Sequence, residues 1–259
     1  TDRPYLDGTQ CKTASEMAEK NCTNQMKAGG FTSGYIVSGA TITYSGNMTI
    51  ASNLSIASCD LKVIGQLKVN SGVTLTVNNV TAEISTGISA AIYNSGTIKA
   101  TTVKGTGSGE VSGITINKGT IEATGDVSGF ANGTYGAGIA LMGGAITAQN
   151  IIAKSETKVA IQNQEGTITA NGNIIATGGS TGFNQNVGGK TTAQNITASG
   201  TAFGIYLSDG VMTVKYNITT TGGDYSIIIF NGASLTATNI YYCGSASGSA
   251  TGNKINSCS

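Results

Sequence analysis

Apolar residues alternate with polar ones in short runs through most of the chain, as in "TITAN", "NIIAT" and "GFNQN" at 167–186. Each run holds four or five residues and is bounded by Gly, Asn or Ser. A period of two buries one face of a strand and leaves the other to solvent. The pentapeptide "TAQNI" occurs at 147–151 and again at 192–196. Aligning the chain on it gives a row of Asn79, Asn150, Asn173, Asn195, Asn217 and Asn239, with Thr102 and Asp126 in the gaps. The successive steps are 22 to 24 residues. Val or Ile always follows: Val80, Val103, Val127, Ile151, Ile174, Ile196, Ile218 and Ile240. A glycine precedes each unit, from Gly72 to Gly232. A second aliphatic row reads Ile88, Ile114, Ile139, Ile161, Phe183, Ile205 and Ile227.

A period of 20–50 residues indicates a solenoid, a propeller or another repeat array. Three strands of four or five residues plus turns use about 22 residues, one turn of a parallel β-helix. A propeller blade needs about 40–45 residues, and a leucine-rich repeat shows a Leu/Asn consensus that this chain lacks. The predicted fold is therefore all-β: one right-handed parallel β-helix over residues 38–242, of about nine coils. At about 4.8 Å per coil the rod is roughly 45 Å long. The aliphatic rows stack inside. The Asn row is expected as a buried amide ladder, and the Gly row is expected to supply turns with positive φ.

Residues 1–37 read as a capping segment. Within it, 13–28 carries Ala14, Ala18, Cys22 and Met26 at helical spacing after a possible N-cap, Thr13 or Ser15, with Glu16 and Glu19 early. A helix there would cover the raw strand edges at the N-terminal end. Residues 243–259 are expected as a capping loop closed by Cys243 and Cys258. The other cysteines are Cys11, Cys22 and Cys59. Cys11 and Cys22 would lie roughly 16 Å apart along a continuous helix, beyond disulfide reach. Cys59 paired with one of them would tie the cap to the first coils. Terminal staples of this kind fit an oxidising compartment. The chain starts at Thr1 without Met, so a processed mature chain is expected.

Composition narrows the chemistry. Charged residues make up 10% of the chain, there is no His, and Arg3 is the one arginine. Imidazole catalysis and His metal ligation are excluded. A net charge of +1 without a basic cluster argues against nucleic acid. No apolar run reaches the 18 residues of a membrane span. No metal or cofactor is expected. The acids fall mostly one per coil; Glu122 and Asp126 are the closest pair, but an inward ladder Asp cannot share a cleft with an outward Glu, which leaves Asp209 with Asp224, in successive coils, as the candidate pair for catalysis. The "GTGSG" run at 105–109 lacks the Lys and following helix of a phosphate loop, so it reads as a flexible connection. The row after the glycines (Val73, Thr97, Thr120, Ala145, Thr167, Lys190, Val211, Ala233) is broken by Val and Lys, which argues against an ice-binding Thr array. The outward positions of the third strand read Thr115, Ala140, Ala160, Asn184, Tyr206 and Ile228. They grow more apolar toward Tyr225 and Phe230, so Tyr206, Ile228, Tyr225 and Phe230 form a candidate contact surface.

The stacked Asn row and three-strand coil resemble the right-handed parallel β-helix of the pectate-lyase-like fold. The Gly/Asn/Thr/Ser-rich, charge-poor coils resemble passenger domains of bacterial autotransporters and related surface adhesins. That resemblance implies a secreted or cell-surface bacterial protein, structural or adhesive and non-catalytic. Its expected partners are a host or matrix glycan or protein, or copies of itself. The alternatives are a polysaccharide-binding or polysaccharide-cleaving enzyme of the same fold and a subunit of an extracellular filament.

Overall fold

The computed structural model describes residues 5–7, 10–87, 89–230 and 232–257. They form a right-handed parallel β-solenoid of about nine coils with one helix at the N-terminal end. Each full coil has three strands. Face 1 is exemplified by Thr97–Ala100, face 2 by Thr102–Gly109 and face 3 by Ser112–Asn117. Faces 1 and 2 belong to one 18-stranded sheet and face 3 is a 10-stranded sheet. In later coils the bend between faces 1 and 2 softens, and single strands such as Lys190–Gly200 and Val211–Gly222 cover both.

The interior is the expected set of stacked rows. Face 2 contributes an unbroken column in strand register from Ile42 and Leu61 through Val80, Val103, Val127, Ile151, Ile174, Ile196 and Ile218 to Ile240. All are buried. The face 3 column is Ile92, Ile114, Ile139, Ile161, Phe183, Ile205 and Ile227. Ile92 holds the place assigned to Ile88, which lies outside the described residues. The loop after Glu83 and Ile84 is longer than the repeat implies, and this shifts the alignment.

Two local readings change. Gly105 is part of the strand Thr102–Gly109 and is no flexible connection. A Cβ there would come within 2.2 Å of the Gly113 carbonyl oxygen, so the residue is small because faces 2 and 3 converge on it. The glycine row is likewise mixed. Gly144 has φ of 82° as expected, but Gly96 does not have positive φ. A Cβ on Gly96 would lie 2.3 Å from the carbonyl oxygens of both Asn70 and Val73, so close backbone approach demands glycine there.

Helix α1 spans Ala14–Ala28. Thr13 Oγ1 accepts from the Glu16 backbone N–H, and the Glu16 carboxylate accepts from the Thr13 backbone N–H, a reciprocal capping box. The backbone hydrogen bond from Thr13, then its hydroxyl, holds the Glu16 carboxyl below its ordinary pKa. This contribution is present at neutral pH and fades as pH falls through the lowered value. Of the predicted stripe, Cys22 and Met26 are buried, Ala18 is half-buried and Ala14 is exposed. Cys22 and Met26 join the core cluster that holds Ile42, Leu54 and Cys59. Cys22 is disulfide-bonded to Cys59 with a Cα–Cα distance of 5.9 Å. A strand at Tyr35–Ser38 pairs antiparallel with Thr41–Ser45 and covers the first edge of face 2.

The opposite end differs from the expected loop. After Cys243 the chain makes a shorter coil: Ala246–Ser247 pairs with face 3, and Ala250–Asn256 pairs in parallel with Ser234–Cys243. Cys243 is itself disulfide-bonded, while Cys258 and the Cys11 side chain lie outside the described residues. In this coil the interior column of face 2 receives Lys254 opposite Ile240. An ammonium cannot be buried there without a partner, so it opposes the docking of a further aliphatic rung. Lys254→Ile is expected to raise the weight-average mass in sedimentation equilibrium by association through this end. An unchanged mass distribution would show that the charge is not what limits stacking.

Candidate contact surface

The Asn row lies at the bend between faces 1 and 2 and is hydrogen-bonded along the rod. Asn79 Nδ2 donates to Asp60 Oδ1 (2.8 Å), and Thr102 Oγ1 donates to Asn79 Oδ1 (2.7 Å). A second run starts where Asn150 Nδ2 donates to Asp126 Oδ1 (2.9 Å). It continues from the Asn173 backbone N–H to Asn150 Oδ1 and from Asn195 Nδ2 to Asn173 Oδ1. The backbone N–H of Asn217 then donates to Asn195 Oδ1, and Asn239 Nδ2 to Asn217 Oδ1. Asn253 Nδ2 donates to Asn239 Oδ1 at 3.3 Å. The row is not buried as expected: Asn173 is exposed and the other five are half-buried. The residue just before the Asn is exposed in most coils, as at Gln149, Gln194, Tyr216 and Thr238, while the following Val or Ile packs inward from face 2, so the Asn sits on the outer side of the bend. Asn195→Leu is expected to cost about 1 kcal/mol in urea unfolding, the scale of a net hydrogen bond at a partly wet site. No measurable change would mean that water replaces both bonds at no cost.

The buried amides are elsewhere, at the corner between faces 3 and 1. Asn94, Asn163 and Gln185 are fully buried and occupy one register column with Ile116, Leu141 and Leu207. Asn94 Oδ1 accepts from Gly96 N–H and Asn163 Oδ1 from Gly166 N–H, which fixes the turn. Gln185 Oε1 accepts from Asn163 Nδ2 and from Thr191 Oγ1, a hydroxyl in the otherwise apolar face 1 column. Irregular spacing along the chain concealed this set, and only the glycine two residues after Asn94 and three after Asn163 hinted at it.

The two acids considered for catalysis do not meet. The backbone N–H of Asp224 donates to the Ala202 carbonyl, which places it at the entrance of face 3. Asp209 follows the exit of face 3, where its carboxylate accepts from the backbone N–H groups of Gly188 and Gly210. Seven residues of near-extended chain separate Ala202 from Asp209, roughly 23 Å. A glycosidase pair is at most about 9.5 Å apart. Among the described residues no cluster of three His, Cys, Asp or Glu is placed to hold a metal ion. No helix among them is long and apolar enough to cross a membrane.

Face 1 carries two outward columns. One is Thr74, Thr97, Thr120, Ala145, Thr167, Lys190, Val211 and Ser234, so Val73 and Ala233 were each one position off the row. The other runs uninterrupted through Thr147, Thr169, Thr192, Thr213, Thr236 and Thr251. Lys190 and Val211 break the first column beside it, so the two do not make a regular two-dimensional hydroxyl array.

Face 3 is where the outward side chains cluster. Its central outward column is Thr115, Ala140, Gln162, Asn184, Tyr206 and Ile228. Gln162 replaces Ala160, which is buried. A neighbouring column carries Thr181, Phe203 and Tyr225. The Phe203 and Tyr225 rings stack at 6.5 Å with an interplanar angle of 18°. Phe203 also meets Tyr206 edge-on at 5.4 Å, and Tyr206 meets Phe230 at 5.2 Å. Tyr225 is 38% exposed and Phe230 46%. The sequence pointed to Tyr206, Ile228, Tyr225 and Phe230, and missed Phe203, which joins Tyr206 to Tyr225. Among the described residues, cation–π contacts fall on Phe130, Tyr135 and Tyr216, and none falls on these four rings. Beside the rings is an open groove of about 600 Å³, lined by Thr181, Asn184, Asn186, Val187, Phe203, Tyr206 and Ser208.

Compared with models of protein families, with curated proteins and with solved structures, the chain matches none.

Proposed function

We propose that this protein is a non-catalytic contact module that acts outside the cell, presenting face 3 of a rigid rod to an external partner. The observation that carries this reading is the half-exposed cluster of Phe203, Tyr206, Tyr225 and Phe230, held on paired strands. Contiguous exposed rings are costly to leave in water and mark contact surfaces. A buried disulfide between the cap and the second rung suits an oxidising compartment. The reading also accords with the likeness of the coils to bacterial autotransporter passenger and surface adhesin domains. The alternative of end-to-end filament growth is less favoured, since α1 covers one end and Lys254 occupies the interior column at the other.

Adhesion of protein-coated beads to matrix-coated and cell-coated plates tests the proposal. Wild-type beads are expected to adhere, and a Tyr206→Ser/Phe230→Ser variant is expected to lose at least about tenfold, the scale of losing a buried aromatic anchor. Absence of adhesion, or adhesion indifferent to the two rings, would refute it.

A further inference from the structure

We infer that the face 3 groove binds a neutral oligosaccharide, a reading that rests on face 3 being the contact surface proposed above. None of the seven lining residues is charged. The nearest acid along the chain, Asp209, already has both carboxylate oxygens occupied by the backbone N–H groups of Gly188 and Gly210. A phosphate, sulfate or uronate would find no cation among the residues that line this groove, so the loss of its hydration there would go uncompensated.

The groove has two chemically different walls, and a sugar ring has the matching pair of surfaces. Phe203 and Tyr206 form one wall, suited to the apolar C–H face of a pyranose. Thr181, Asn184, Asn186 and Ser208 form the other. An amide offers two donors and a carbonyl acceptor, and a hydroxyl offers both roles, so this wall can pair with ring hydroxyls in either sense. Ser208 and Asn186 already hydrogen-bond to each other across rungs, which orients both. Asn184 Oδ1 is screened from water and has no donor. An amide in that state gains by turning toward an incoming hydroxyl. The Gln162 rung precedes the amides and the Tyr225, Ile228, Phe230 rung follows the rings, so the polar and aromatic zones continue along the rod axis. An elongated ligand lying along the axis meets one zone after the other, about 4.8 Å per rung.

A peptide is the less favoured occupant. Extended peptides dock by adding to an open strand edge, and every face 3 strand beneath the groove is paired on both sides. The rings are mutually packed, so little rotamer freedom remains to be lost when a ligand stacks on them.

The test is a glycan microarray carrying neutral and acidic oligosaccharides, probed with the full chain, followed by titration of the strongest neutral ligand. Neutral glycans are expected to give the signal. Tyr206→Ala and Asn184→Ala are each expected to weaken the titrated affinity at least about tenfold. Thr147→Ala, on face 1, is expected to leave it unchanged. Phe203→Leu serves as the milder variant should Tyr206→Ala fail to fold by circular dichroism, and it is expected to show the same loss. Signal on acidic glycans alone, no signal on any glycan, or binding indifferent to both walls overturns the inference. If beads still adhere in a Tyr206-dependent way while no glycan binds, the partner is a protein and only the ligand class falls. If adhesion fails as well, the contact-surface reading falls with it.

Discussion

Replacing Phe183 by alanine is expected to destabilise the rod by about 3–5 kcal/mol, the cost of emptying a fully buried aromatic site. Among the described residues Phe183 is the largest of the fully buried side chains. It stands in the face 3 column between Ile161 and Ile205, one rung above and one below. In a solenoid the rungs above and below hold their positions through ladder hydrogen bonds, so the cavity cannot close by sliding a helix or a loop inward. The cost should fall near the top of the range for that reason. Phe183→Leu, which keeps most of the volume, is expected to cost under about 1.5 kcal/mol. Urea unfolding of the two variants beside wild type measures both. A loss below about 1 kcal/mol for Phe183→Ala would show that the coil collapses onto the gap. The substitution also bears on binding. Asn184 follows Phe183 directly and Thr181 lies two residues before it, and both line the groove, so a softened interior should loosen the amide wall and weaken any ligand that uses it.

The fold was legible because a solenoid writes its register into the sequence. An interior column allows only a few aliphatic types per rung, so Val80 to Ile240 could be aligned without knowing the structure. The direction of the Asn row was not legible. The same Asn-Ile spacing arises whether the amide turns inward or outward at the bend, and in the structure the last buried face 1 residue, such as Ala148 or Ala193, lies two positions before the Asn. The inner amides Asn94, Asn163 and Gln185 went unseen because Ile116, Leu141 and Leu207 share their column and break the pattern. The contact surface was half legible. Tyr206 and Ile228 fall on a countable outward position. Phe203 reads on its own as one more core aromatic, and only the register with Thr181 and Tyr225 places it outside. The groove is a relation between rungs, and no single repeat contains it.

Severing the bond between Cys22 and Cys59 is expected to release the N-terminal cap while the rest of the rod stays folded. The two residues are 37 positions apart. Loop-closure entropy for that separation gives about 4 kcal/mol, more than the other contacts of a 15-residue helix can be expected to replace. With α1 loosened, Ile42, Leu54 and Ile56 lose the cover that keeps them from water. In a solenoid each coil contacts only its neighbours, so the loss should decay within a coil or two. A Cys22→Ala/Cys59→Ala variant, followed by hydrogen–deuterium exchange, is therefore expected to lose protection over about residues 14–64. Face 3 between 181 and 207 should keep its protection, and the contact surface its binding. Uniform loss along the chain would mean that the coils unfold as one unit and that the cap sets the stability of the whole rod. Unchanged protection over 41–56 would mean that the buried Met26 side chain and the Tyr35–Ser38 pairing hold the cap without the disulfide.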